Sequence, residues 1–257
     1  VMGTPVINIA DGGTLDMNGK VFEGVRTNLV VHAAGAGVGN WPWAITSSGA
    51  NMPDYNFIES LILDGDATIG GAKTMNLGIL FGNSYVSSRV LNLGGYTLTK
   101  TGSGSLYMRR PYPGSAGGTI YLKEGSGEIA THGSISASYF TGTMAGVNLK
   151  LGENFSLKFT NEGTATTQPL MFKTVESAPG ATVTGTAKGT PGIGAIESFS
   201  GSGTFKNFTF KEGATFSPDG LDYFVVEGTL GGTMKVVLSN EVKAAGASAA
   251  LLRAGAV

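Results

Sequence analysis

The densest group of acidic residues in this 257-residue chain is Glu59, Asp64 and Asp66. Two carboxylates held the right distance apart can act as general acid and general base on a glycosidic bond, and the same oxygens could bind calcium. Asp64 and Asp66 flank a glycine between two apolar runs, and Asp and Gly are residues that turns prefer. The sequence therefore predicts a β-turn with polar corners here, and acid–base chemistry remains the alternative.

His32 and His132 are the only two histidines, and neither lies in a metal-binding or nucleophile motif. The chain has no cysteine, which excludes disulfides, thiolate metal sites and a catalytic thiol. It also has no Gly-x-Ser-x-Gly elbow at a strand-to-helix junction and no phosphate-binding loop before a helix. We therefore predict no catalytic residue, no metal site and no cofactor.

Aromatic and basic residues outside the repeated segments are the stronger functional candidates. Flat aromatic rings stack on the apolar faces of sugar rings, and guanidinium groups bind carboxylate or sulfate substituents in a bidentate way. A structural role is the alternative for the two tryptophans, because large aromatic residues often cover a core or the end of a stacked fold. The predicted glycan-binding residues are Trp41, Trp43, Tyr107, Arg109, Arg110 and Tyr112.

These candidates lie among short elements that repeat. The phrase GGYTLTKTGSG at positions 94–104 returns as GGTIYLKEGSG at positions 117–127. Self-similar units at such spacing are typical of stacked or wound folds. The two copies disagree in the strand face that their apolar residues would occupy. Leu98 is the third residue after its glycine pair, whereas Ile120 is the second. A shift of one position exchanges the faces of a strand, so either a bulge intervenes or the glycine match overstates the equivalence.

Between the glycines, apolar and polar residues alternate with a period of two, which predicts half-buried strands. Leu149 and Leu151 alternate in this way with Asn148 and Lys150. A short helix, or alternatively a strand, is predicted at residues 244–252. Three stretches are predicted as loop excursions, and they are residues 31–57, 109–114 and 160–194.

Residues 91–106, LNLGGYTLTKTGSGSL, resemble the autotransporter-associated β-strand repeat, in which a Leu-x-Leu strand, a glycine turn, a Thr-Leu-Thr strand and a Lys-x-Gly-x-Gly turn follow one another. Residues 14–20 are similar to the opening half of that repeat, and residues 205–238 resemble the closing part of such passenger regions. Asp219 stands where the usual closing turn has a glycine. The resemblance implies a parallel β-helix on an exported bacterial protein.

Composition narrows the classes of function and partner that remain. Glycine is frequent, with 42 residues, and charged residues make up 14% of the chain, against about 25% in typical domains. A net charge of −1 provides no basic field for nucleic acid or for an anionic membrane. No apolar run is long enough to span a bilayer, so we expect no membrane insertion by this chain.

The sequence thus predicts an all-β protein, a parallel β-helix or β-solenoid with loop excursions, and an antiparallel β-sandwich is the alternative. We expect a single solenoid domain over residues 1–257, part of a larger exoprotein, with a weak boundary within residues 160–194. The expected role is a non-enzymatic structural or adhesive module at the cell surface or outside the cell. A carbohydrate-binding module and a β-helix polysaccharide lyase or glycosidase are the alternatives, and a polysaccharide or cell-surface glycan is the expected partner.

Overall fold

The computed structural model describes residues 5–20, 29–52, 58, 60–77, 91–109, 117–131, 144, 146–161, 170–185, 193–205, 208–218, 224–227, 230–236 and 252–254. Every regular element in these ranges is a β-strand. The chain divides into two compact units, Val1–Thr131 and His132–Val257. The predicted single domain and its boundary stay predictions.

The first unit contains two parallel sheets. The main sheet has the order β1-β3-β5-β8-β10, and the second sheet has the order β6-β9-β11. The short strands β2, β4 and β7 extend the main sheet through pairings of β2 with β4, β4 with β5, and β7 with β5. The strands are β1 (Val6–Ile9), β2 (Leu15–Asp16), β3 (Val30–Gly35), β4 (Ile45–Thr46), β5 (Ser60–Gly70), β6 (Met75–Leu77), β7 (Leu91–Asn92), β8 (Thr97–Thr101), β9 (Ser105–Arg109), β10 (Thr119–Leu122) and β11 (Ser126–Thr131).

The second unit repeats this plan. One sheet has the order β12-β15-β17-β19-β21, with β14 beside β17 and β22 beside β19, and the other has the order β13-β16-β18-β20-β23. The strands are β12 (Asn148–Leu151), β13 (Ser156–Asn161), β14 (Leu170–Met171), β15 (Thr174–Ser177), β16 (Thr182–Gly185), β17 (Ile193–Gly201), β18 (Gly203–Phe205), β19 (Phe208–Pro218), β20 (Phe224–Val226), β21 (Leu230–Gly231), β22 (Met234–Val236) and β23 (Leu252–Ala254).

Alternation along each strand and stacking between rungs build the core. In β12 the two leucines are buried, while the asparagine and lysine that alternate with them are half-exposed. Leu149 stacks in register on Val175, and Val175 stacks on Phe199. Because parallel rungs superpose equivalent positions, one inward residue per rung produces a continuous apolar column.

Six phenylalanines pack against one another in the core of the second unit. Phe199 lies at the centre of this group, with ring centroids 4.6 Å from Phe224 and 5.5 Å from Phe208. Rings at such distances add edge-to-face and stacking energy to the burial of apolar area. The group is Phe199, Phe205, Phe208, Phe210, Phe216 and Phe224.

The predicted all-β parallel solenoid is confirmed, because the described strand pairings run parallel and follow the wound order. The antiparallel sandwich is wrong for the same reason. One rung of the winding leads from Val6 to its partner Val30 in the first unit, and another leads from Asn148 to Thr174 in the second. Two predicted excursions contain strands. All but the first residue of β3 and the whole of β4 lie within residues 31–57, and β14, β15 and β16 lie within residues 160–194.

The register resolves the parity conflict in the repeated phrase. Thr97 pairs with Thr119 and Leu98 pairs with Ile120, whereas superposing the glycines of the two copies would place Thr97 beside Ile120. The first copy has one more residue in its turn, which the Tyr96 N–H closes by donating to the Leu93 carbonyl at 2.8 Å. Leu98 and Ile120 therefore both face inward, and the glycine match overstates the equivalence.

Candidate functional site

The tryptophan excursion lies between β3 and β4 in the first unit. A tight turn forms its tip, where the Trp41 N–H donates to the Val38 carbonyl at 2.9 Å. Gly37 adopts a φ of +77°, and a Cβ there would lie 2.2 Å from the Trp41 carbonyl oxygen. Only glycine fits this close approach of two backbone segments. Gly37 therefore allows the backbone of the excursion to pack against the backbone of the two tryptophans.

The two tryptophans have different environments. Trp43 is half-buried, and its indole Nε1–H donates to the Thr101 hydroxyl at 2.8 Å. Trp41 is 41% exposed. Thr101 ends β8 and pairs in register with Gly70, which in turn pairs with Thr46 of β4. The Trp43 hydrogen bond therefore fixes the excursion to β8, with β5 lying between them. The Trp41 ring is exposed to solvent.

The other predicted glycan-binding residues lie elsewhere or outside the described residues. Tyr107 is half-buried on β9 in the second sheet, where it pairs in register with Asn76 and Glu128. Arg109 ends the same strand. Arg110 and Tyr112 lie outside the described residues. The tryptophan excursion thus connects two strands of the main sheet, whereas Tyr107 lies on β9 of the second sheet.

Sequence reasoning missed two tyrosines near β8 of the main sheet. Tyr121 pairs in register with Thr99, whose side chain shares the outward parity of Thr97 and Thr101. Tyr96, at the turn before β8, is 41% exposed. The usable signal was the alternation in TLTKT and TIYL, which assigns Thr99 and Tyr121 to the same face once the two strands are aligned on their inward residues.

The Asp64–Asp66 pair is not a β-turn, so that prediction is wrong. Both residues lie inside β5, an 11-residue strand. The register of β5 against β3 shifts between Ala33 and Gly35, which pair with Leu63 and Ala67. The two aspartates therefore occupy a bulge, where extra residues are accommodated without ending the strand.

Each aspartate of the bulge has a structural partner. The Asp64 carboxylate oxygens lie 3.1 Å from His32 Nδ1 on β3, and Asp66 Oδ1 accepts a hydrogen bond from the Thr97 N–H at 2.8 Å. Asp66 thereby caps the start of β8. Glu59 and His132 lie outside the described residues.

Asp16 on β2 is a further carboxylate with structural contacts. Its oxygens accept hydrogen bonds from the Asn18 N–H at 2.9 Å and from the Ser48 N–H and hydroxyl at 2.9 and 2.5 Å. Burial acts to raise the pKa of this carboxyl, but the bonds from Ser48 and Asn18 together outweigh it and hold the pKa below its usual range. Asp16 therefore connects the turn after β2 to the turn after β4 on the next rung.

Within the described ranges, no three His, Asp or Glu side chains converge as metal ligands would. None of the described elements is a helix that is long and apolar enough to cross a membrane. Comparison of the chain with protein-family models, with curated proteins and with solved structures finds no match.

Proposed function

We propose that this chain is a non-enzymatic structural and adhesive β-solenoid module of an exported or cell-surface protein. The observation that carries the proposal is the use of its polar side chains. Asp16, Asp64 and Asp66 bind backbone N–H groups or a neighbouring side chain of the solenoid itself. Acid–base catalysis needs carboxylates that face a substrate, and here these groups support rungs.

The regular outer faces support an adhesive role. In the second unit, Asn148, Thr174 and Ser198 pair in register on successive rungs, and the Thr174 hydroxyl donates to Asn148 Oδ1 at 2.9 Å. A ladder of similar polar groups offers many weak, equivalent contacts, which together give avidity without a deep pocket. The resemblance of residues 91–106 to autotransporter-associated repeats supports an exported location.

A turnover assay separates this role from a polysaccharide lyase or glycosidase. The purified chain is incubated with neutral and acidic polysaccharides, and reducing ends and unsaturated ends are measured. We expect no release above that of heat-unfolded protein. Release that Asp64→Asn or Asp66→Asn abolishes, with an unchanged melting temperature, would contradict the proposal and identify an enzyme.

Location is tested on intact producing cells. An antibody against the chain should label unpermeabilised cells or the medium, and added protease should remove the signal from the cells. Labelling that requires permeabilisation of the cell envelope would contradict an exported location.

Carbohydrate binding is the second candidate, and the exposure of Trp41 favours it. A large apolar ring at 41% exposure, held by an excursion that Trp43 anchors to Thr101, is a preformed stacking platform. The ligand class would be neutral or acidic pyranose polymers. Because the chain has two tryptophans, Trp41→Ala leaves Trp43 as the sole indole, and the difference in emission from the wild type reports on Trp41.

The experiment combines a glycan array with tryptophan fluorescence of the wild type and of the Trp41→Ala variant. We expect a glycan that binds the wild type to shift the Trp41 emission, and we expect Trp41→Ala to lose binding at an unchanged melting temperature. Val38→Ala is the matched control, since Val38 is 60% exposed on the same excursion. Equal loss with Val38→Ala would indicate non-specific apolar adhesion and reject the stacking platform.

A further inference from the structure

A lysine lies inside the core of the first unit. Lys100 pairs in register with Ile69 on one side and Leu122 on the other, so it occupies the inward column that those apolar residues form. Its exposure is 2%, comparable to 0% for Ile69 and 1% for Leu122. Lysine is almost never fully buried unless its amine has partners, so this position requires a specific arrangement around Nζ.

The partners are backbone carbonyls from two successive rungs. Lys100 Nζ donates to the Gly102 carbonyl and to the Glu124 carbonyl, each at 2.5 Å. Gly102 belongs to the turn after β8, and Glu124 belongs to the turn after β10. The Gly102 N–H donates in turn to Glu124 Oε2 at 2.7 Å. One side chain therefore ties two neighbouring corners of the solenoid together.

A neutral amine can keep the hydrogen bonds that Lys100 makes in this place. An ammonium group has three N–H donors and no acceptor, whereas a neutral amine has two N–H donors. The described part of the chain supplies two carbonyl acceptors to Lys100 Nζ. Removal of the third proton leaves both hydrogen bonds intact and removes the cost of holding a charge among Ile69 and Leu122.

Charged groups on the adjacent elements are few in the part of the chain that the structure describes. The turn after β10 carries Glu124, whose carboxylate favours the ammonium form, and Lys123, which is exposed. The turn after β5 carries Lys73, whose backbone carbonyl lies close to Gly104. The two aspartates of β5 lie in its bulge, away from the inward column. Glu124 is thus the group whose charge opposes deprotonation of Lys100.

We propose that Lys100 is a built-in proton switch of the first unit, in which loss of the third proton in mildly alkaline solution removes a charge from the core, keeps the hydrogen bonds to the corners after β8 and β10, and so stabilises the unit. Burial lowers the pKa of this amine from 10.5 to about 8, and the Glu124 charge offsets part of that effect. The folded state binds the proton more weakly than the unfolded chain does. Stability therefore rises with pH between about 8 and 10.5.

The test is urea unfolding of the wild type and Lys100→Met at intervals from pH 6.5 to pH 11. The difference in unfolding free energy between the two proteins cancels the other titrating groups, which they share. We expect this difference to rise in favour of the wild type between pH 8 and 10.5, by up to roughly 300-fold in the folding equilibrium constant. The exposed Lys173→Met is the control, and its difference should be flat. A flat difference for Lys100→Met would overturn the proposal.

Glu124→Gln keeps the proposal testable if Lys100→Met does not fold. Glutamine retains an oxygen for the Gly102 N–H but removes the charge that favours the ammonium, so the rise in stability should begin at lower pH. Carbon NMR of the lysine Cε groups in the wild type should show one lysine with a midpoint near 8, and Glu124→Gln should lower it. If every lysine Cε titrates at the usual value of about 10.4, the proposal is wrong.

Discussion

At the scale of single residues, polar side chains in this protein hold neighbouring rungs in place. Asp66 caps the first N–H of β8, Asp16 receives three bonds at a corner, and Lys100 joins two carbonyls. A parallel solenoid has no hairpin turns to set the pairing of its strands, so such contacts between rungs help to select the register. Substitution of these groups is expected to loosen the fold before it alters any binding.

Gly125 is the residue whose replacement tests the corner most directly. A Cβ there would lie 2.6 Å from both Lys100 Nζ and the Gly102 carbonyl oxygen, and its φ is +86°. Gly95 has a similar φ of +90°, but a Cβ at that position would meet no atom within 4 Å. A comparison of alanine variants at Gly95 and Gly125 therefore separates the cost of backbone strain from the cost of a steric clash at the added Cβ.

We expect Gly95→Ala to lower the free energy of unfolding by about 1–2 kcal/mol, the cost of a left-handed alanine. Gly125→Ala should cost about 1–3 kcal/mol more, since overpacking adds to the strain. Urea unfolding at pH 7 measures both. Equal losses in the two variants would show that Lys100 and the carbonyl do not crowd Gly125.

At the scale of elements, the register of β8 and β10 decides which face each residue occupies. Superposing the glycines of the repeated phrase would place Thr97 beside Ile120, whereas the structure places it beside Thr119. Neighbouring strands lie about 4.8 Å apart, which is within the Cα separation that a disulfide accepts. The chain contains no native cysteine, so an engineered pair has no competitor.

Thr97→Cys combined with Thr119→Cys should therefore form a disulfide in the folded protein and raise its stability by about 3 kcal/mol. Thr97→Cys combined with Ile120→Cys should remain reduced, because Ile120 is fully buried on the opposite face. Thiol titration of the oxidised native proteins distinguishes the two. A disulfide in the Ile120 variant alone would contradict the observed register.

At the scale of the whole molecule, the core of each unit is formed by strands that stack in successive rungs. Each of the two units has paired parallel sheets and inward apolar columns, and the second unit adds its group of phenylalanines. The net charge of −1 adds little overall charge repulsion. The stability of each unit therefore depends mainly on apolar contacts between successive rungs.

Circular dichroism tests this architecture on the full chain. We expect a β-type far-ultraviolet spectrum with little helix, since each described regular element is a strand. A helical content near the roughly one third that is typical of globular proteins would contradict the solenoid.

Much of the fold was predictable because its signals are local. Alternation with a period of two and glycines that restart strands depend on backbone sterics within a short stretch of chain, and together with the repeated phrase they predicted a parallel wound fold. The tryptophan pair was singled out as a glycan-binding candidate, which stays a prediction, and its sequence did not distinguish the anchored Trp43 from the exposed Trp41. That difference depends on Thr101, which lies 58 residues further along the chain than Trp43.

The sequence by itself determined strand character and the repeating rhythm of strand and turn. The tertiary structure alone decided the register of β10 on β8, the bulge at Asp64 and the partners that make a buried lysine acceptable. The physical reason is that each of these depends on atoms supplied by the next rung. His32 meets Asp64 across 32 residues, and the Glu124 carbonyl meets Lys100 across 24, separations over which local sequence carries no information about contact.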